Sequence, residues 1–71
     1  MNQSVESRFG HRVKEIRMFQ QMSQEELAWR SQLSKNYISD VENGRRNVSL
    51  KAIEKFAKGL GVEIIDLFRW K

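Results

Sequence analysis

Two serines, each opening a short amphipathic helix, constrain this chain more than any other feature. Residues 23–43 read SQEELAWRSQLSKNYISDVEN. Ser23 is followed three residues on by Glu26, the two halves of a capping box that satisfies two orphan backbone donors. Met22 and Leu27 flank that start as a hydrophobic staple. The pattern recurs with Ser34 as N-cap and Leu33 and Ile38 as the staple. Starts about eleven residues apart leave room for a helix of roughly two turns, a tight turn and a second helix. This is helix-turn-helix spacing, and it points to duplex DNA as the partner.

Composition agrees with that partner and excludes others. The 71 residues suit one small domain, and the formal net charge of +4 suits a polyanion. There is no cysteine, hence no disulfide framework and no thiolate metal site. The first residues, MNQSVESRFGHRVKEIR, are too polar for a signal peptide, and no apolar run approaches membrane length. A cytoplasmic protein that contacts no membrane is expected.

The chain has no proline, and its four glycines punctuate helical periodicity. A first helix is expected from about Val5 to Gln21, burying Val5, Phe9, Val13 and Ile16, with Gly10 marking the close approach of another helix. A second runs from about Gln24 to Ser31 around Leu27 and Ala28. A third runs from about Lys35 to Asn43 around Ile38 and Val41, ended by Asn43-Gly44. A fourth starts at Ser49, with Val48 and Ile53 as its staple, and buries Leu50, Ile53, Phe56, Ala57 and Leu60 before Gly61. The tail VEIIDLFRWK reads as a short fifth helix from about Glu63; a strand is the competing reading, but a lone strand leaves its backbone unpaired.

The chain resembles the Cro/Xre-type helix-turn-helix family of phage repressors and bacterial regulators from Phe9 to Phe68. The resemblance is carried by Ile16-Arg17, the run Ser23-Gln24-Glu25-Glu26-Leu27-Ala28, Tyr37-Ile38-Ser39, Glu42-Asn43-Gly44, Ser49-Leu50 and Leu60-Gly61-Val62. Tyr37 to Glu42, Gly44-Arg45-Arg46-Asn47 and the short length most resemble controller proteins of restriction-modification systems; solitary phage and plasmid repressors share much of the pattern. The resemblance implies an all-α, compact five-helix domain like that of lambda repressor, with the helix-turn-helix at about 23–43 and a dimerisation tail at about 60–71. Gln32 stands where the family usually has glycine in the turn. A left-handed conformation there costs ~1–2 kcal/mol for a residue with a Cβ.

In such a domain the third helix enters the major groove and its N-terminal residues meet base edges. The residues off its core face are Lys35, Asn36, Tyr37, Ser39 and Asp40, which are the expected base contacts. Lysine can donate to guanine and asparagine can pair bidentately with adenine. Asp40 either accepts from a cytosine amine or orients Lys35 or Asn36 from within the protein. Tyr37 either contacts DNA or packs on helix 2. Phosphate contacts are expected from Gln24, Ser34, Asn43, Arg45, Arg46 and Asn47, with Gln24 at a helix N-terminus where backbone N–H groups face an anion. Arg17 and Glu42 resemble an ion pair of the family that holds the third helix in place. A small monomer has little use for Ile64, Ile65, Leu67, Phe68 and Trp70 together, so these are expected to bury against a second copy.

Lys51, Lys55 and Lys58 read as ordinary solvated residues, and an exposed Trp29 suggests a contact surface without saying with what. His11, the one histidine, reads as solvated. Glu25 and Glu26 lie in a first helical turn, where carboxylates favour the macrodipole. With no phosphate-binding glycine loop, no HExxH and no nucleophile–base pair, the sequence offers no enzyme, metal, cofactor or small-molecule site. The function it implies is a transcriptional regulator binding a pseudo-palindromic operator as a homodimer, and controlling its own gene and a restriction-modification gene. The alternatives are a phage or plasmid repressor of the same fold, and a protein-interaction module that sequesters another regulator.

Overall fold

Each helix of the computed structural model, which describes residues 3–70, begins at a serine that does the same local job. The helices are α1 (Val5–Phe19), α2 (Gln24–Ser31), α3 (Lys35–Glu42) and α4 (Leu50–Leu60), followed by a 3-10 turn, Ile64–Phe68. Ser4, Ser23, Ser34 and Ser49 are the four N-caps, accepting from the backbone N–H of Ser7, Glu26, Tyr37 and Ala52 at 3.0–3.1 Å. Each such cap contributes about 1 kcal/mol, which matters in helices of only two or three turns. α3 gives way to Gly44 at φ 75° and α4 to Gly61 at φ 69°, where a left-handed residue costs glycine little.

The helices enclose one core of Phe9, Val13, Ile16, Met22, Leu27, Ile38, Val41, Ile53, Phe56, Ala57, Leu60 and Leu67. Phe56 is its centre, with Phe9 edge-on at 5.9 Å between ring centroids and Tyr37 stacked at 6.3 Å. Two glycines let helices touch. A Cβ on Gly10 would land on the carbonyl of Val41, so α1 and the end of α3 meet backbone to backbone. A Cβ on Gly59 would crowd Ser31 and Leu27, the seam of α2 on α4. Ser31, buried there, satisfies its hydroxyl by donating to Leu27 O at 2.6 Å.

Several sequence expectations need correction. The tail forms a five-residue 3-10 turn and no fifth α-helix, because it has too few residues to repay α-helical nucleation. α1 ends two residues earlier than expected, with Gln20 as its cap and Gln21 left-handed at φ 57°. The capping box of α2 is half made: the Glu26 carboxylate accepts from Arg30, one turn on, at 2.8 Å. Val5 and Leu50 were expected in the core but are 60% and 85% exposed. Each sits in the first turn of its helix, beyond the reach of the elements that cover the rest of that face.

Candidate nucleic-acid interface

α3 presents the surface that the chain could offer to DNA. Ile38 and Val41 are the residues it buries, and this fixes the helix by one side. Lys35 and Asn36 are left exposed in its first turn, with Ser39 and Asp40 half-buried one turn later. Ser34, Asn43, Arg45, Arg46 and Asn47 are all exposed around the ends of the same helix. Tyr37 is half-buried: its ring stacks on Phe56 of α4, and the Arg46 guanidinium lies 5.2 Å from the ring centroid. The sequence had set DNA contact against packing on helix 2, but the ring packs on α4, leaving less of it for a ligand.

Asp40 also has different partners from those expected. Its carboxylate accepts from Arg46 Nε at 3.4 Å and stands 4.0 Å from Arg45 Nη1. The main chain closes the same loop, with Arg45 N–H donating to Asp40 O at 2.9 Å. The residue therefore holds the following loop, not Lys35 or Asn36. Asn43 donates to Ser39 O at 2.9 Å, which finishes the last turn of the helix from its own side chain.

The pose of α3 depends on a buried cluster at its other end. Arg17 of α1 is bidentate to Glu42, Nε at 2.7 Å and Nη2 at 3.0 Å, and its third nitrogen donates to Met22 O at 2.7 Å. The Glu42 side chain is 3% exposed, so this pair is bonded at the strength of a desolvated fork. Gln24 completes it, Nε2 donating to Glu42 Oε1 at 3.0 Å. That bond was not expected. It anchors the side chain at the start of α2. One network thus links α1, the α1–α2 loop, the N-terminus of α2 and the C-terminus of α3.

Gln32 adopts the left-handed conformation the sequence implied, φ 59°, as the turn between α2 and α3. The turn keeps its geometry and carries the strain of a side chain.

Away from α3 in sequence, Leu50, Ile53, Ile64 and Phe68 line an open apolar depression edged by Lys51 and Glu54. Leu50 and Ile53 were absent from the residues expected to meet a second copy. Leu67, which was among them, is fully buried within this chain and cannot belong to that surface. Trp70 is half-buried against the core, its ring 5.6 Å from Phe68, while Ile64, Ile65 and Phe68 remain exposed. Phe19 and Trp29, 89% and 84% exposed, lie outside this depression. Among the described residues no helix is long and apolar enough to cross a membrane, and no cluster of acidic or histidine side chains could hold a metal.

Comparison with known proteins places this geometry. The helix-turn-helix family pattern matches residues 13–67. The control protein C.BamHI of Bacillus amyloliquefaciens is 48% identical over 68 residues, covering 94% of this chain and 84% of that protein. The crystal structure of the restriction-modification controller protein C.AhdI from Aeromonas hydrophila superposes with a TM-score of 0.86 at 44% identity, covering 89% of this chain and 96% of that one. The controller protein C.Esp1396I, solved as a tetramer in complex with its natural 35 base-pair operator, gives 0.86 at 36% identity over 94% of this chain and 88% of its own.

Proposed function

We infer what this protein does from one premise: the chain belongs to the Cro/Xre-type helix-turn-helix family, and its relatives include controller proteins of restriction-modification systems. The reading is a sequence-specific DNA-binding transcriptional regulator of the controller type, working in the cytoplasm on an operator beside its own gene. The observation that carries it is α3: two polar side chains free in the first turn, arginines at the following loop, and a buried ion-pair cluster holding the helix at its far end. In this reading Lys35 and Asn36 meet base edges. Gln24, Ser34, Asn43, Arg45, Arg46 and Asn47 meet phosphates and set the register.

The same reading makes the protein a homodimer on a pseudo-palindromic operator, since half-sites about 34 Å apart require a two-fold axis. The apolar depression of Leu50, Ile53, Ile64 and Phe68 suits that axis. Lys51 and Glu54 at its edge pair with each other within the chain at 3.4 Å, leaving the apolar residues as the part of this surface a second copy would cover.

The test is binding. Wild-type protein should select an operator from a randomised duplex pool and find a related sequence upstream of its own gene. Binding should weaken steeply with salt and exceed that to a scrambled duplex by about 10³-fold or more. A protein-interaction module of the same fold would bind both duplexes weakly and alike. Methyltransferase and nuclease genes beside this one would mark the controller; their absence would favour a phage or plasmid repressor.

A further inference from the structure

A carboxylate on the face of a helix that must approach phosphates works against binding, unless it does something else. Asp40 is such a residue, with its side chain one-third exposed. It does not stand alone: it lies 3.4 Å from Arg46 and 4.0 Å from Arg45. Arg46 is held from a second direction by the Tyr37 ring, 5.2 Å below its guanidinium carbon, and that ring is itself fixed by stacking on the fully buried Phe56. A free loop arginine samples many rotamers, and ordering it on DNA costs binding energy. An arginine ordered beforehand avoids most of that cost.

We propose that Asp40 is a positioning residue: with the Tyr37 ring it holds the Arg46 guanidinium beside α3 before DNA arrives, where it meets its phosphate only when α3 is docked in register on the operator, raising the preference for operator over other duplexes at the expense of general attraction to phosphate. The proposal rests on the DNA-binding reading above and adds a specific division of labour to it. Asp40 reads no base and touches no phosphate. It trades part of the charge of two arginines for the placement of one.

The two effects have opposite signs on different DNA, so one substitution separates them. Asp40→Asn keeps the shape and removes the charge. On a scrambled duplex it should tighten binding and steepen the salt slope by about one unit. On the operator selected by the wild-type protein it should gain less, so the specificity ratio falls about two- to fivefold, the scale of an exposed ion pair with a cation–π contact. In an Arg46→Ala background the same Asp40→Asn change should move both duplexes equally, because nothing is left to position. Without DNA, the Arg46 Nε–Hε resonance should be displaced by the Tyr37 ring current in the wild type, and should return toward that of a solvated arginine in Asp40→Asn. Equal gains on both duplexes would show a merely repulsive charge and overturn the proposal. A ratio loss that persists without Arg46 would also overturn it, pointing to direct base contact by Asp40. If the wild type selects no duplex at all, the DNA-binding reading itself fails, and this proposal with it.

Discussion

Glu42 shows how much one side chain can decide. It accepts from Arg17 twice and from Gln24 once, nearly sealed from water, so removing it leaves a guanidinium facing the interior. Glu42→Ala is expected to cost ~3–5 kcal/mol. At ~4–8 °C per kcal/mol in a domain this size, thermal melting should drop by more than 10 °C. Arg17→Ala should behave alike; melts of both within ~0.5 kcal/mol of wild type would reduce the pair to a surface contact. Gln32 argues the other way. Its φ of 59° stores the strain of a Cβ in a left-handed turn, offset in glycine by a greater loss of freedom on folding. Gln32→Gly is therefore expected to stabilise by up to ~1 kcal/mol, read as a rise in the urea midpoint; a fall would mean the side chain is held by something that outweighs the strain. Residue identity at this scale was legible in part. Arg17–Glu42 and Gln32 could be read from the resemblance, but Gln24 bonding to Glu42 and Asp40 bonding to Arg46 could not. Those partners are brought within 3–3.4 Å by how α1, α2 and the loop pack, which no spacing along the chain reports.

Among the elements, α3 contributes few apolar contacts and most of the expected recognition, so its substitutions should split by function and not by stability. Lys35→Ala and Asn36→Ala each remove a base-edge partner, and should cost ~1–3 kcal/mol on the operator with a much smaller loss on scrambled duplex. Arg45→Ala removes a phosphate charge, weakening both duplexes similarly and lowering the salt slope by about one unit. Arg46→Ala should do the same and lose some specificity as well, if Asp40 positions it. Titrations of both duplexes at several salt concentrations measure all four variants. Equal losses from Lys35→Ala on the two duplexes would mean that α3 does not read sequence. The boundaries of α2 and α3 follow from their caps, since a serine oxygen and an N–H three residues on settle a helix start within one turn. The tail has a local cap as well, Glu63 N–H donating to Asp66 Oδ2 at 3.0 Å, but its five residues are too few to repay α-helical nucleation, and the 3-10 form docks Leu67 into the core beside α1 and α4.

At the scale of the whole molecule, the exposure of Leu50 bears on assembly. An 85% exposed leucine beside exposed Ile64 and Phe68 is a surface suited to a second copy. Sedimentation at tens of micromolar should show a dimer, and Leu50→Asp or Ile64→Asp should weaken it while leaving the monomer folded. Leu67→Ala should do the reverse: as a core residue it should cost ~2–5 kcal/mol of stability without altering the self-association of the molecules that stay folded. A strict monomer at that concentration, free and on DNA, would remove the dimer from the proposed function. The sequence alone determined that the described residues are helical, where α2, α3 and α4 start, and that Ile38 and Val41 form the buried face of α3. These depend on caps, staples and a 3.6-residue period, interactions closed within a few residues. Only the tertiary structure decided that Leu67 is inside and Leu50 outside, that Tyr37 stacks on Phe56, and that Asp40 holds Arg46. Burial at a helix end depends on whether a distant segment reaches it, and the partner of a long polar side chain depends on which helices cross beside it; both are set by packing between elements, after the local rules have been satisfied.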